Sequence, residues 1–340
     1  MTNTILGVGL LILLNILLIN LFFKAAIRWK IVDTPNERSS HRSLTIRGGG
    51  ILFPISWFTF SLINGLALPY ATLGLLLISV ISFLDDFSPK KPLVRLVVHT
   101  LAFILLFSEF DLFAKMSLFW ILCGLVLCIG ILNAVNFMDG INGITVLYFT
   151  AFLVPIAFSL SYGMGRDFDL LSIKSPFIYL ASSLLVFGYY NLRKKARTFA
   201  GDVGSVSIGY LMIMFIIFYG FDGSLSETGF EVHRWDYNYA SIFFLALYGV
   251  DSIITIVERI LRKENIFKAH RSHLYQLLTN ELGIGHLKIA LLYFLVQLSI
   301  NTAIIYYEPP LWHLVAGTLV LVVLYLLVKS GVRNRIKQTQ

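Results

Sequence analysis

The sequence predicts an all-α polytopic membrane protein, in which residues 1–340 form a single integral-membrane helix bundle. Of its 340 residues, 57% are hydrophobic and 14% are charged, and the mean hydropathy is +0.79. A soluble domain carries about 25% charged residues. Apolar stretches of roughly 16–22 residues recur along the chain, and a helix of that length approaches or crosses about 30 Å of hydrocarbon. A membrane β-barrel is excluded, because its strands alternate in polarity over about ten residues.

About eleven transmembrane helices follow from these stretches. They are predicted near residues 4–23, 49–67, 69–84, 93–108, 116–132, 144–161, 175–190, 204–221, 238–257, 287–306 and 311–329. Basic residues follow the first stretch rather than precede it, so it is expected to remain as a span instead of being removed as a signal peptide. Cys123 and Cys128 lie in one apolar stretch and are expected to act as small apolar side chains.

The Lys and Arg residues are distributed unevenly between the connections. With the N-terminus outside, 23 of the 27 fall in the inside segments and four fall outside. This asymmetry predicts an outside N-terminus and a cytoplasmic C-terminus. Contact with anionic membrane lipids then accounts for the net charge of +8, so a nucleic-acid partner is not expected.

Five polar clusters interrupt the apolar sequence, and the alternation of spans places all of them at the cytoplasmic face. They occupy residues 33–50, 85–86, 133–143, 201–205 and 270–273. Carboxylates, amides, imidazoles and guanidinium groups at one membrane surface indicate a site for phosphate and a metal ion.

Asp85 and Asp86 end the third apolar stretch. Adjacent carboxylates at a membrane boundary are unfavourable unless they are paired, solvated or metal-bound. Magnesium usually takes one or two carboxylates together with substrate phosphates, so the pair is a candidate catalytic site. The alternative is a solvated helix end balanced by Lys90, Lys91 and Arg95.

Asn133, Asn136 and Asp139 follow the fifth stretch at a spacing of three residues, which places them close together on a helix. Gly140 and Gly143 permit a tight turn. This segment holds no Lys or Arg, so Asp139 has no local counter-ion, and a functional role is favoured over a salt bridge.

Asp202 lies in a glycine-rich turn that opens the eighth stretch. Such a turn presents backbone N–H groups to an anion, and an aspartate there is well placed to hold a metal against a phosphate. The alternative is that Asp202 caps the helix.

His270, Arg271 and His273 lie in the longest inside connection. They are candidate donors to a diphosphate or a sugar, and the alternative is a basic loop that contacts anionic lipid.

The first cluster contains four candidate substrate-binding residues: Asn36, Arg38, His41 and Arg47. Three glycines follow Arg47. They form either a phosphate-approach loop or a contact between closely packed helices.

Together these motifs resemble the polyprenyl-phosphate N-acetylhexosamine-1-phosphate transferases of glycosyltransferase family 4. Members of that family begin lipid-linked O-antigen, enterobacterial common antigen, teichoic acid and peptidoglycan. The resemblance covers nearly the whole chain and rests on five motifs in order. These are DTPNERSSHRSLTIRGGG at 33–50, FLDDF at 83–87, NAVNFMDGINGI at 133–144, FAGDVGSVSIG at 199–209 and AHRSHLYQ at 269–276.

The resemblance implies transfer of a sugar 1-phosphate from a UDP-N-acetylhexosamine to undecaprenyl phosphate, with release of UMP. It implies a Mg²⁺ cofactor, with Mn²⁺ as the alternative, and an active site at the cytoplasmic face of the bacterial inner membrane. A homodimer is a candidate assembly. Direct attack by the lipid phosphate and a phospho-aspartate intermediate both stay open.

The resemblance also implies residue roles. The catalytic candidates are Asp85, Asp86, Asp139 and His273, with the acidic pair near the lipid phosphate. The metal candidates are Asp202 and Asn136. The substrate-binding candidates are Asn36, Arg38, His41, Arg47, Asn133, Asn136, Asp139, His270 and Arg271.

Two departures from the family pattern narrow or complicate the assignment. The peptidoglycan branch typically has three consecutive histidines where this chain has His270-Arg-Ser-His273. This argues against a muramoyl-pentapeptide transferase and favours an O-antigen initiating enzyme for lipopolysaccharide. Its donor would carry a 6-deoxy-N-acetylhexosamine such as N-acetylfucosamine or N-acetylquinovosamine, with N-acetylglucosamine still open. Asp251 lacks the preceding proline that is common in the family, and it is either a structural polar residue or a site residue.

Two other classes of protein fit the sequence less well. A transporter or flippase for a lipid-linked or anionic solute would place its polar groups near the membrane midplane, whereas these clusters lie at helix ends. A CDP-alcohol phosphotransferase is disfavoured, because its Asp-Gly-x-x-Ala-Arg signature is absent.

Overall fold

The protein is a helix bundle, seen here in a computed structural model that describes residues 2–33, 45–162, 172, 174–221, 223–226, 229–232, 238–265 and 270–339. Its helices are α1 Thr2–Arg28, α2 Leu52–Ile63, α3 Pro69–Phe87, α4 Pro92–Glu109, α5 Leu112–Lys115, α6 Leu118–Met138, α7 Ile144–Tyr162, α8 Pro176–Asn191, α9 Gly201–Gly220, α10 Ala246–Leu261, α11 Leu274–Gln276, α12 His286–Tyr307 and α13 Leu311–Thr339.

Short elements complete the described chain. Turns of 3₁₀ helix at Gly49–Ile51 and Tyr239–Leu245 lead into α2 and α10, and a π-helical turn at Leu277–Glu281 follows α11. Two small antiparallel hairpins are also present. They pair β1 Val32–Asp33 with β2 Thr45–Ile46, and β3 Gly223–Ser226 with β4 Gly229–Val232.

The predicted all-α membrane class is confirmed, and each of the eleven predicted apolar stretches contains a helix. Eight helices in the described part of the chain are long and apolar enough to cross a membrane. The other three predicted spans are α2, α7 and α8. Helix α2 forms one apolar segment, Gly49–Ile63, with the 3₁₀ turn before it; α7 has 19 residues, of which Ile144–Ser159 form an apolar segment; and α8 has 16 residues. Most of α8 is buried, and a helix enclosed by protein has little need to match the thickness of the bilayer.

Helix α9 is the axis of the bundle. It packs against α2, α3, α6 and α7. Of its most apolar stretch, 94% is buried, compared with 11% of the corresponding stretch of α13. A helix that is apolar all round is expected to be enclosed in this way. Small residues at Gly204, Ser205, Ser207 and Gly209 allow its neighbours to approach closely, and the Ser207 hydroxyl lies 2.9 Å from that of Ser79 on α3.

The alternation of helices brings the polar clusters to one end of the bundle. Helices α3, α6 and α8 end there, and α4, α7 and α9 begin there. We call this the motif end. Its position on the cytoplasmic side remains a prediction from the basic residues.

Single-cysteine labelling tests that orientation. Ser88 is exposed just beyond α3 at the motif end, and Ser117 is exposed before α6 at the opposite end. In a background with Cys123 and Cys128 replaced by alanine, Ser117→Cys should react with a membrane-impermeant maleimide in intact cells. Ser88→Cys should react only after the membrane is opened. Equal labelling of both variants in intact cells would show that the proposed sidedness is wrong.

Candidate active site

Arg47 connects two aspartates that come from different parts of the chain. Its Nε lies 2.7 Å from Asp86 Oδ1, and its Nη2 lies 2.8 Å from Asp202 Oδ1. The Asp86 side chain is 0% exposed, whereas those of Asp202 and Arg47 are 17% and 37% exposed. The structure therefore brings together the clusters at 33–50, 85–86 and 201–205. Of the three side chains, those of Asp202 and Arg47 are accessible from outside.

Asp86 occupies the N-terminus of α9. Its two carboxylate oxygens accept hydrogen bonds from the backbone N–H groups of Asp202 at 3.0 Å and Val203 at 3.1 Å. The first N–H groups of a helix have no partner within the helix and favour an anion. The sequence predicted that these groups would face a substrate phosphate, but here two of them bind Asp86. The alternative role of Asp202 as a helix cap is also wrong, because the N-cap residue is Ala200, with no side-chain cap hydrogen bond, and the carboxylate that binds the first turn is that of Asp86.

Glycine makes the close approach of the Arg47 segment to α9 feasible. Gly49 and Gly50 donate backbone hydrogen bonds to the carbonyl oxygens of Phe199 and Ala200 at 2.9 and 3.1 Å. A Cβ atom on Gly50 would lie 2.4 Å from the Cα atom of Gly204. Gly49 and Gly50 therefore serve the close-packing alternative, and this packing fixes Arg47 over the start of α9.

Asp85, the neighbour of Asp86, faces a different set of groups. Its Oδ2 lies 3.0 Å from Arg95 Nη1, and its Oδ1 accepts the backbone N–H of Lys90 at 2.5 Å. Arg95 Nη1 also lies 3.9 Å from Asp202 Oδ2. The expected charge balance at this helix end is therefore supplied by Arg95 together with a backbone N–H.

Asn136 and Asp139 approach the same group from the end of α6. The hydroxyl of Ser205 on α9 donates to Asn136 Oδ1 at 2.6 Å, and Thr145 donates to Asp139. Burial raises the pKa of Asp139 to about 6. The hydrogen bond from Thr145 opposes this rise, and the negative charge of Asp202 adds to it. Asp139 therefore takes up a proton more readily than an exposed aspartate does.

Asn133 does not join this group. Its side-chain amide donates to the carbonyl oxygen of Ile129, one turn earlier in α6, at 2.9 Å. Three further predicted residues, Asn36, Arg38 and His41, lie outside the described residues.

The predicted histidines form a second group beside the α6–α7 connection. His273 Nδ1 lies 2.9 Å from Asp251 Oδ1, and the Nε2 atoms of His270 and His273 are 3.1 Å apart. The Tyr275 hydroxyl donates to the carbonyl oxygen of Phe137 at 2.8 Å, which joins this group to the end of α6.

The alternative of a basic loop that contacts anionic lipid does not hold for His273. His273 is 1% exposed, because its ring packs onto Asp251 in the bundle. Arg271, by contrast, is partly exposed in the same connection. Sequence reasoning left Asp251 between two roles. The signal in the sequence was the position of this carboxylate inside an apolar span, where a charged group needs a hydrogen-bonding or charged partner.

The carboxylate and amide oxygens of Asp202 and its neighbours are of the type that binds magnesium. Magnesium is usually held by one or two carboxylates plus substrate phosphates. Asp202 and Asp139 are carboxylates, and Asn136 offers an amide oxygen. Within the described ranges, no three His, Cys, Asp or Glu side chains form a group that could hold a metal ion.

Comparison with known proteins connects this arrangement to one family. The sequence profile of glycosyl transferase family 4 matches residues 68–220. That range runs from α3 to α9 and includes Asp85, Asp86, Asp139 and Asp202.

Full-length relatives extend the match. The chain is 26% identical over 317 residues to a probable undecaprenyl-phosphate N-acetylglucosaminyl 1-phosphate transferase of Bacillus subtilis (strain 168), covering 88% of this chain and 84% of the relative. It is 27% identical over 298 residues to a phospho-N-acetylmuramoyl-pentapeptide-transferase of Thermotoga neapolitana, covering 79% and 89%. It is 30% identical over 210 residues to the same kind of enzyme in Thermotoga maritima, covering 57% and 67%.

The contact between the Arg47 segment and α9 is testable with one added methyl group. Gly50→Ala should destabilise the protein by about 1–3 kcal/mol, because the new Cβ meets backbone that cannot yield easily. Gly130→Ala is the matched control, since a Cβ there has no neighbour within 4 Å. Thermal unfolding in detergent should show a lower Tm for Gly50→Ala than for Gly130→Ala. Equal Tm values would contradict the contact.

Proposed function

Because the chain belongs to glycosyltransferase family 4, we propose that it transfers an N-acetylhexosamine 1-phosphate from a UDP-sugar to undecaprenyl phosphate and releases UMP. The observation that carries the proposal is the Arg47 bridge between Asp86 and Asp202 at the motif end. It supplies a partly exposed carboxylate and two nearby guanidinium groups where a lipid phosphate at headgroup depth would meet a nucleotide-sugar.

The charges of the group suit a reaction between two phosphates. Three carboxylates, those of Asp85, Asp86 and Asp202, face the two guanidinium groups of Arg47 and Arg95, so the five side chains have a net charge of −1 when all of them are ionised. An added divalent cation would make the group positive, which suits two approaching anions. The guanidinium groups are placed to stabilise charge that spreads over the transferred phosphoryl group.

We assign the cation as Mg²⁺, with Mn²⁺ as the alternative, held by Asp202 and assisted by Asn136. Bound there, the ion would offset phosphate charge and favour departure of UMP. The lipid phosphate has a second pKa of about 6 and is largely a dianion at neutral pH. Attack therefore does not require a base, and Asp85 acts by positioning and electrostatics.

The proposal for the donor sugar rests on the cluster at residues 270–273. The sequence His270-Arg-Ser-His273 departs from the triple histidine of the peptidoglycan branch, which supports a UDP-N-acetylhexosamine without a pentapeptide. The relative from Bacillus subtilis carries the name of an N-acetylglucosaminyl transferase. We propose N-acetylglucosamine or a 6-deoxy-N-acetylhexosamine as the sugar, and a cell-surface glycan such as O-antigen as the product that this step begins.

Release of UMP tests the reaction. Purified protein should release UMP from a UDP-N-acetylhexosamine only when undecaprenyl phosphate and Mg²⁺ are both present. Parallel assays with UDP-linked N-acetylglucosamine, N-acetylquinovosamine, N-acetylfucosamine and muramoyl-pentapeptide identify the donor. Release from none of them, or release that does not depend on the lipid phosphate, would overturn the proposal.

Asp202→Asn should lower turnover more than about 100-fold, which corresponds to roughly 3 kcal/mol of transition-state stabilisation. The amide keeps the shape of the side chain but is a poorer magnesium ligand than a carboxylate. Asp111→Asn makes the same chemical change at an exposed turn at the opposite end of the bundle and should retain turnover. Activity of Asp202→Asn near the wild-type value at saturating Mg²⁺ would refute the metal role, as would full wild-type activity in EDTA.

Asp85→Asn and Arg271→Ala should separate the two substrates. Asp85 is bound at the α3–α4 connection near headgroup depth, so its loss should lower kcat and leave binding of the UDP-sugar nearly unchanged. Arg271 lies in the histidine cluster, and its loss should mainly raise the KM for the UDP-sugar. Calorimetry of UDP-sugar binding beside steady-state kinetics distinguishes these effects. If Asp85→Asn abolished nucleotide-sugar binding, the assigned roles would be wrong.

A further inference from the structure

A chain of hydrogen bonds runs from a buried arginine on α10 through both histidines to a buried carboxylate on the same helix. Arg259 Nη1 lies 2.8 Å from His270 Nδ1, His270 Nε2 lies 3.1 Å from His273 Nε2, and His273 Nδ1 lies 2.9 Å from Asp251 Oδ1. Asp251 is fully buried and Arg259 is 3% exposed. Solvent therefore has little access to either end of the chain.

The chemistry of the two ends fixes the direction of every hydrogen bond between them. A guanidinium group can only donate, so His270 Nδ1 must accept. A neutral His270 then carries its proton on Nε2 and donates to His273 Nε2. His273 Nε2 must accept, which leaves its proton on Nδ1, where it is donated to Asp251. Both tautomers are thus assigned from the network of partners.

Asp251 is held in place by three further elements. Its Oδ2 accepts the Tyr293 hydroxyl of α12 at 2.7 Å, and its Oδ1 accepts the Tyr325 hydroxyl of α13 at 2.9 Å. The backbone N–H of Leu274 at the start of α11 lies 3.4 Å from Oδ1. A carboxylate fixed from α11, α12 and α13 sets the orientation of the His273 ring as well as its tautomer.

We propose that Asp251 is a positioning residue that keeps His273 protonated on Nδ1, so that Nε2 presents a lone pair at the donor subsite. This rests on the proposed function and deepens it. A lone pair accepts a hydrogen bond, so its partner on the substrate must be a hydrogen-bond donor. The hydroxyl groups and the acetamido N–H of an N-acetylhexosamine are donors, whereas the oxygens of an ionised diphosphate are acceptors. Of the two partners expected for this cluster, the diphosphate and the sugar, only the sugar offers donors, so His273 is assigned to the sugar.

The same polarity gives His270 a defined place. In the structure its Nε2–H satisfies the lone pair of His273. A sugar hydroxyl or amide N–H binds His273 by replacing that contact. His270 in the free protein and the sugar in the complex thus bind the same atom, Nε2 of His273.

Binding of two ligands that differ only in the sugar tests the proposal. Calorimetry should be run with UDP and with UDP-N-acetylglucosamine, or with the donor that the UMP assay identifies. Asp251→Leu should weaken binding of the UDP-sugar about 10-fold or more, as expected when a site loses a specific hydrogen bond to a substrate hydroxyl or amide. Binding of UDP should change less than about 2-fold, because UDP lacks the sugar groups that His273 would contact. Asp251→Asn keeps the shape and an acceptor oxygen, so its loss should be smaller.

Two comparisons separate positioning from a general loss of structure. Gln297→Leu removes a different fully buried polar side chain of α12, one that contacts Tyr148 and Asn301, and it should weaken both ligands equally or neither. Adding His273→Gln to Asp251→Leu should produce little further loss, because both changes remove one coupled unit.

Nitrogen-15 spectra of histidine-labelled protein supply a readout that needs no substrate. The His273 signals, assigned by their loss in His273→Gln, should show protonation at Nδ1 and a bare Nε2 in the wild type. Protonation at Nε2 would overturn the proposal, as would equal loss of UDP and UDP-sugar binding in Asp251→Leu. If the wild type bound neither ligand while the spectra matched, the proposed function would fail and the positioning by Asp251 would stand.

Discussion

The carboxylate of Asp86 at the N-terminus of α9 is the interaction on which the rest of the site depends. It places a residue of α3 against the first backbone N–H groups of the central helix and at the same time binds Arg47 from the segment before α2. A buried charge is tolerated when it is both paired and hydrogen-bonded. Asp86 meets both conditions, so a single side chain joins three parts of the chain at the motif end.

The remaining charges are distributed around that fixed point. Asp202 stays partly exposed, Arg95 spans Asp85 and Asp202, and Asp139 approaches from α6 with a raised pKa. The buried Asp86 holds the segments in position, whereas the partly exposed Asp202 and Arg47 can still bind ligands. This separation agrees with an electrostatic site in which the protein is arranged before the substrates arrive. It also explains why adjacent aspartates can have different tasks, since Asp86 faces a helix terminus and Asp85 faces a connection.

The helices were predictable because lipid leaves the chain few choices: a span must satisfy its own backbone and be apolar for some twenty residues. The meeting of the clusters at one end followed from the same alternation. Their pairings did not follow, because the partners of Asp86 and His273 lie 117 and 22 residues away in sequence. The same pattern of residues was compatible with Asp202 as a cap and with an exposed His273. Only the packing of α9 and α10 decides between these alternatives, and the roles of Asn36, Arg38 and His41 stay predictions.

The enclosure of α9 has a consequence for how the protein is made. Its first turn carries the N–H groups that Asp86 binds. Its flanks are covered by α2, α3, α6 and α7 from earlier in the sequence and by the 3₁₀ turn at Tyr239–Leu245 from later in it. While the chain is still entering the membrane, α3 and α6 are in place before α9 is synthesised, and α10 and the elements that fix His273 come after it. No intermediate of insertion thus contains a complete site. Catalytic competence should therefore appear late in assembly, when other parts of the protein have already replaced lipid around α9.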